Sequence, residues 1–275
     1  MLKKLLKYDF RAVFKYWWIA ALSSLLLSIG GGSCLSILLS ERELPTAVNV
    51  MSVLALILVI FSYAAFSILT VILVFTRFYK NFFSDEGYLT FTLPVKRSQL
   101  LNSKLIMSAT TMCTTALVCI FNVLVLLCIG FADEVFTTSF WNQVSYFFKM
   151  VGETLGFYCV IYVLEILILL ILLTVFSNLF LFACITFASI ITKKAKVLAA
   201  IGIYYVANGI FSFAFQIFYL FGMTSLASWL SRLPAESGYG IISLILLGII
   251  FFVGLFCALL YTLQYWMIDR KLNLN

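Results

Sequence analysis

Few residues of this 275-residue chain have side chains that could carry out chemistry. The chain contains no His, the commonest general base and metal ligand. No Gly precedes a Lys, so the phosphate-binding pattern GxxxxGK[ST] is absent, as are HExxH and GxSxG. The seven Cys stand singly in apolar stretches, which indicates small buried residues rather than disulfides or metal ligands. We therefore predict that the chain is not an enzyme and holds no cofactor or metal of its own.

One ionisable residue, Glu165, lies deep within an apolar stretch. A charge at the centre of a bilayer costs at least about 2.5–3.5 kcal/mol, so this side chain should face the protein interior. Two interpretations stay open: a proton or cation site, or a structural hydrogen bond in which Glu165 pairs with Asn122, Asn208 or Gln216. We interpret these amides, together with Asn178, as hydrogen-bonding groups between helices rather than as a substrate site.

The composition indicates the kind of element that must position these residues. Hydrophobic residues make up 64% of the chain and charged residues 11%, against about 25% charged in soluble domains. The mean hydropathy of +1.13 is too high for a water-soluble enzyme or a disordered chain. The apolar stretches are long and unbroken instead of alternating, which favours helices over a barrel. The sequence therefore predicts an all-α integral membrane protein.

Six stretches are long enough to cross a bilayer, and the whole chain, 1–275, is predicted to form one transmembrane domain. The predicted spans are about 18–39, 48–75, 105–131, 154–192, 197–223 and 240–268. The fourth is too long for one ordinary span and too short for two, so we expect one long helix that is tilted or projects. Residues 132–153 are expected to form an interfacial loop or a short surface helix.

The basic residues predict the orientation of these spans. With both termini in the cytoplasm, all but Arg42, Lys149 and Arg232 of the 18 Lys and Arg lie on the cytoplasmic side. The net charge of +7 thus fits a multi-pass membrane protein with its excess positive charge on the cytoplasmic side and gives no reason to expect nucleic acid as a partner. We expect no cleaved signal, because no small-residue cleavage pattern follows the first apolar stretch.

Residues 1–17 have the pattern of a basic amphipathic helix. Apolar residues recur at helical spacing, and the opposite face carries Lys3, Lys4, Lys7, Arg11 and Lys15. Such a helix is suited to lie along an anionic cytoplasmic leaflet, with membrane lipid as its partner. The alternative is a cluster of charges that only directs topology.

The cytoplasmic segment 77–104 combines polar residues with apolar side chains that should meet water. Ser84 can cap a short helix that begins with acidic residues, and Gly87 permits a sharp turn. The aromatic and aliphatic side chains beyond it either dip back into the interface or dock on a partner. We favour docking.

Residues 83–104 resemble the loop after the second span in small ABC-2 type permease subunits of Gram-positive bacteria. The resemblance implies a six-span subunit that pairs with a second permease subunit and with ATP-binding cassette ATPase subunits, which bind the ATP and Mg²⁺. In that family this loop carries a coupling helix that inserts into the ATPase, and the N-terminal basic helix fits the family's connecting helix. The matching positions are Asp85, Glu86, Gly87, Tyr88, Leu89, Phe91, Leu93 and Pro94.

These patterns lead to three functional hypotheses. The first is the permease subunit of an ATP-driven exporter whose substrate is an amphipathic or hydrophobic lipid, peptide or drug. The second is an ion- or proton-coupled transporter centred on Glu165. The third is a sensor or immunity protein that captures an antimicrobial peptide through residues 132–153 and 224–239 without transporting it.

Overall fold

The computed structural model of the protein is almost entirely α-helical in the part of the chain that it describes. The described residues are 2–40, 45–83, 87, 97–192, 195–230 and 235–270. Among them no strand occurs, and six helices are long and apolar enough to cross a membrane. The prediction of an all-α chain with six such helices is confirmed.

Eight helices follow one another along the described residues. They are α1 (Leu2–Leu39), α2 (Thr46–Phe83), α3 (Arg97–Gly130), α4 (Ala132–Val135), α5 (Thr138–Leu155), α6 (Tyr158–Ile191), α7 (Lys196–Leu230) and α8 (Ala235–Arg270). The candidate spans are α1, α2, α3, α6, α7 and α8. Except for α6, each is longer than the apolar stretch from which its span was predicted, because backbone hydrogen bonding continues past the last apolar residue.

The fourth candidate span is no longer than the others and starts later than the predicted 154. Gly156 adopts φ +52° and separates α5 from α6. This left-handed conformation interrupts the helix, and glycine adopts it without the steric penalty of a side chain. The 34 residues of α6 therefore compare with 38 in α1 and in α2.

Contacts divide the chain into two compact units, each described by itself. Unit 1 comprises Met1–Arg77 and Ile106–Val151. Its core forms around Trp17 and Ala21 of α1 and Phe66 of α2. The indole Nε1 of Trp17 donates to Oγ1 of Thr115 on α3 at 2.8 Å, and this oxygen lies 3.2 Å from Oγ1 of Thr70. Buried hydroxyls thus satisfy the indole N–H within the apolar core.

Unit 2 comprises Phe78–Leu105 and Gly152–Asn275. Its helix α6 packs against both α7 and α8. The most deeply buried side chains lie in the second half of α6, in the end of α2 and in the start of α3; examples are Phe182, Ile185, Phe78, Phe82 and Leu101. The core of this unit therefore lies beside the end of α2 and the start of α3, which flank the predicted coupling residues 85–94, called here the coupling segment.

The surface segment predicted for 132–153 consists of the one-turn helix α4 and the 18-residue helix α5. No residue of α5 is buried. Trp141, Tyr146, Phe147 and Phe148 leave more than half of their surface exposed. An amphipathic helix with this many uncovered aromatic residues is typical of a membrane interface.

Candidate functional site

Within unit 2, one flank of the predicted coupling segment contacts α6 and the other contacts α8. On the first flank, at the end of α2, the ring of Phe78 stacks on Phe182 of α6 with centroids 3.9 Å apart and planes 5° from parallel. Both rings are fully buried. A contact of this kind resists displacement, because moving either ring would open a void in a packed core.

The second flank, at the start of α3, is joined to α8 by polar contacts. Arg97 donates from Nη1 to Oδ1 of Asp269 and to its backbone carbonyl, both at 2.7 Å. One turn further on, the hydroxyl of Tyr261 donates to Oδ1 of Asn102 at 2.8 Å. The carboxylate and guanidinium are nearly half exposed, so this pair fixes geometry more than it adds stability.

Gly87 is the member of the predicted coupling set that lies within the described residues. It is helical and buried, and a Cβ added to it would lie 2.9 Å from the carbonyl oxygen of Phe82. A side chain larger than hydrogen does not fit at this distance. The other predicted coupling residues lie outside the described residues: Asp85, Glu86, Tyr88, Leu89, Phe91, Leu93 and Pro94.

The basic residues of the N-terminal segment all lie on the exposed side of α1. They are Lys3, Lys4, Lys7, Arg11 and Lys15. They belong to the first turns of a helix that continues into the first candidate span, not to a separate helix. Asp9 faces the other way, is 2% exposed, and accepts a hydrogen bond from Nε of Arg77 at 3.1 Å. This ion pair explains an acidic residue on the buried side of a basic segment.

Glu165 is buried in unit 2 between α6 and α8. Its side chain is 5% exposed, and Oε1 accepts a hydrogen bond from the hydroxyl of Ser243 at 2.5 Å. Its other oxygen, Oε2, is buried without a hydrogen-bond partner. About one turn closer to the N-terminal ends of α6 and α8, the hydroxyl of Tyr162 donates to the carbonyl of Tyr239 at 2.6 Å. The same two helices are thus joined twice.

A layer of tyrosines surrounds this second link. The ring of Tyr158 lies 6.2 Å from that of Tyr162 and 6.1 Å from that of Tyr239. We refer to these three residues as the tyrosine layer. It lies about one helical turn from Glu165, towards the N-terminal ends of α6 and α8.

The amides proposed as partners of Glu165 lie elsewhere. Asn122 belongs to unit 1, where its Nδ2 donates to Oγ of Ser24 at 2.9 Å. Asn208 and Gln216 are exposed on α7. The observed partner is Ser243, which sequence reasoning missed because nothing distinguishes one serine of an apolar helix from another.

Two further amides in unit 2 are fully buried and incompletely hydrogen-bonded. Asn178 donates to the carbonyl of Thr174 at 2.8 Å, while its Oδ1 has no partner. Gln264, on α8, has no partner for either Oε1 or Nε2. Unpaired polar groups in a buried position are unfavourable, so both mark places where the packing is not optimised for stability alone.

An apolar cavity of about 220 Å³ opens between α6, α7 and α8. It is lined by Phe176, Phe180, Phe211, Phe256, Leu259, Leu260 and Leu263. We call it the phenylalanine cavity. All its lining side chains are aromatic or aliphatic, so it suits a hydrocarbon group and not a polar one.

The described residues contain no group of three or more Cys, Asp or Glu placed to hold a metal ion. Comparisons of the chain with protein-family models, with characterised proteins and with solved structures find no match. The geometry above is therefore the basis on which a function is proposed.

Proposed function

We propose that this chain is the membrane-spanning subunit of an ATP-driven exporter of the ABC-2 type, located in a bacterial cytoplasmic membrane. Its substrate is amphipathic or hydrophobic, and a separate ATP-binding cassette subunit binds ATP and Mg²⁺ and hydrolyses the nucleotide. The observation that carries this proposal is the attachment of both flanks of the coupling segment to α6 and α8.

The attachment supplies a mechanical route from an ATPase to the spans. A partner that moves the segment between its two flanks also moves Phe78 and Arg97. Phe78 is in ring contact with Phe182 of α6, and Arg97 is bonded to Asp269 of α8. Nucleotide binding in the partner would then shift the α6–α8 pair between two arrangements, as in other rigid-element switches.

The charges at the helix ends support an orientation with both termini in the cytoplasm. Basic residues lie at the start of α1, in the last turn of α2 (Lys80), and at the first residue of α3 (Arg97) and of α7 (Lys196). Lys149 of α5 lies on the opposite side in this orientation. The exposed bases of α1 would then face the anionic headgroups of the cytoplasmic leaflet.

Polar residues on α7 support a second permease subunit as partner. Asn208 and Gln216 are exposed amides on a predominantly apolar helix. An amide in contact with lipid hydrocarbon has nothing to hydrogen-bond with, whereas an amide between helices does. A second copy or a related chain packed on this face would remove the amides from lipid.

Substitutions in the coupling segment test the proposed function. The double variant Tyr88→Ala and Phe91→Ala should lose most of the co-purifying ATPase, or retain it while transport no longer follows ATP hydrolysis. Tyr146→Ala with Phe148→Ala on α5 is the matched control, because it removes two exposed aromatics on the predicted opposite side. If the first pair retains an ATPase and transports normally in vesicles, the coupling assignment is wrong.

A second candidate function follows from Glu165. A buried carboxylate with one unpartnered oxygen also suits a transporter driven by protons or cations without an ATPase. The ATP dependence of transport, measured together with Glu165→Gln, decides between the two. Transport that is independent of ATP and lost in this variant would favour the second candidate, and ATP-dependent transport would favour the first.

A further inference from the structure

We propose that Glu165 and the phenylalanine cavity together bind one amphiphile that carries an ammonium group on an aliphatic chain. This inference rests on the proposed function, because it specifies the substrate class of the exporter. Such binding requires an acidic site for the head and an apolar site for the chain, on one face of α6 and separated by the length of an extended aliphatic chain. Each requirement is met within unit 2.

The first site is the carboxylate. Oε2 of Glu165 is buried and has no partner, whereas Oε1 is fixed by Ser243. Among the described residues the ion pairs involve Asp9 and Asp269, not Glu165. A carboxylate held in one orientation with a free oxygen is complementary to an ammonium group, which donates charge-assisted hydrogen bonds.

The second site is the phenylalanine cavity. Phe176 contributes to its lining and lies about three turns beyond Glu165 on the same face of α6, a distance of about 16 Å along the helix. An extended aliphatic chain whose head is at Glu165 would therefore reach the cavity. The 220 Å³ of apolar space accommodates the end of one chain and offers no hydrogen bond to a polar group.

The depth of the two sites matches that of an amphiphile in a bilayer. The 34 residues of α6 extend over about 51 Å, and about 30 Å of hydrocarbon centred on them begins about 10 Å from either end. Glu165 lies about 10 Å from the start of α6, which is the boundary between the hydrocarbon and the headgroups. Phe176 then lies near the middle of the hydrocarbon. The tyrosine layer sits at the interface, where aromatic side chains with a polar tip are common.

The tyrosine layer also lies where the head would pass between Glu165 and the interface. The hydrogen bond from Tyr162 to Tyr239 crosses from α6 to α8 between Glu165 and the helix starts. With this bond formed, Glu165 is 5% exposed. A head that passes between Glu165 and the interface at that end must part this bond, which couples its passage to a separation of α6 and α8 there.

The test measures binding of a photoactivatable long-chain alkylamine to the full chain in lipid nanodiscs, with affinity expressed per mole fraction in the bilayer. The comparison ligands are its N-acetylated analogue, which has no charge, and a short-chain amine. In the wild-type chain, the long-chain amine should bind at least about tenfold more tightly than either; tenfold corresponds to about 1.4 kcal/mol.

Two variants test separately the recognition of the charged head and the recognition of the aliphatic chain. Glu165→Gln should abolish the preference for the charged head and keep the preference for the long chain. Leu263→Trp, which fills the cavity, should do the reverse. Leu255→Trp is the matched control, since Leu255 is 45% exposed against 50% for Leu263 and does not line the cavity.

Equal binding of the amine and its acetylated analogue to the wild-type chain would overturn the proposal without any variant. Loss of both preferences in Glu165→Gln, in a sample that melts like wild type, would also overturn it. The binding is measured without an ATPase. If the chain binds the amine selectively but no ATPase co-purifies with it from native membranes, this site is established and the proposed function is refuted.

Discussion

Replacing Phe182 by Ala should destabilise unit 2 and disconnect the coupling segment from α6. Phe182 and Phe78 are both fully buried and stack at 3.9 Å. The substitution leaves Phe78 facing a void, so the end of α2 loses the surface against which it is held. The polar contacts between α3 and α8 involve neither ring and should stay intact.

The magnitude follows from the environment. In a soluble core Phe→Ala costs about 3–5 kcal/mol, part of which is the transfer of the ring from water. In a bilayer the surroundings are also apolar, so the transfer part shrinks and the cavity part dominates. A residual cavity of about 100 Å³ costs about 2.4 kcal/mol, and the lost ring pair adds about 0.5–1.5 kcal/mol. We expect about 2–4 kcal/mol.

Reversible unfolding in bicelles, followed by steric trapping, measures this free energy directly. Phe213→Ala is the control, because Phe213 belongs to the same unit and is 65% exposed. A cycle with Phe78→Ala should give a coupling of about 0.5–1.5 kcal/mol. If Phe182→Ala lies within about 0.5 kcal/mol of the wild-type chain, packing at this flank does not hold the segment and the reasoning fails.

Two further predictions concern unit 1 and topology. Gly32→Val should destabilise the chain by about 1–3 kcal/mol, since a Cβ there would lie 3.0 Å from the carbonyl oxygen of Leu126; Gly30→Val, with nothing within 4 Å, should have a far smaller effect on the same melting curve. In a chain without its native Cys, a membrane-impermeant thiol reagent added outside intact cells should label Ser139→Cys and leave Asn275→Cys unlabelled until the cells are opened. The reverse labelling pattern would invert the topology.

The helical class and the six candidate spans were predictable because hydropathy over about 20 residues is a strong signal. The ends of the helices were not. Helices α1 and α2 run into basic and aromatic residues such as Lys3 and Phe83, where hydropathy falls but backbone hydrogen bonding continues. Gly156 was visible in the sequence, yet a glycine within an apolar stretch does not reveal whether its φ is positive.

The candidate site was predictable only in part. Glu165 stood out as an acid within an apolar stretch, and the structure buries it. Its partner Ser243 is far along the chain and resembles every other serine in the spans. Phe182 is one of 28 Phe, so its stacking partner could not be chosen from the sequence. Pairings between distant helices depend on register, which a single sequence does not encode in any local pattern.

The interruption at Gly156 between α5 and α6 has a practical consequence. A Cβ at this residue would meet no atom within 4 Å, and the flanking bonds are purely backbone ones, such as the Gly156 amide to the Gly152 carbonyl at 2.9 Å. A side chain here is disfavoured by torsion alone, by about 1–2 kcal/mol. Lateral contacts change with every detergent or lipid, but a torsional penalty does not. Gly156 thus offers an internal reference against which stability scales in different membrane mimetics can be calibrated.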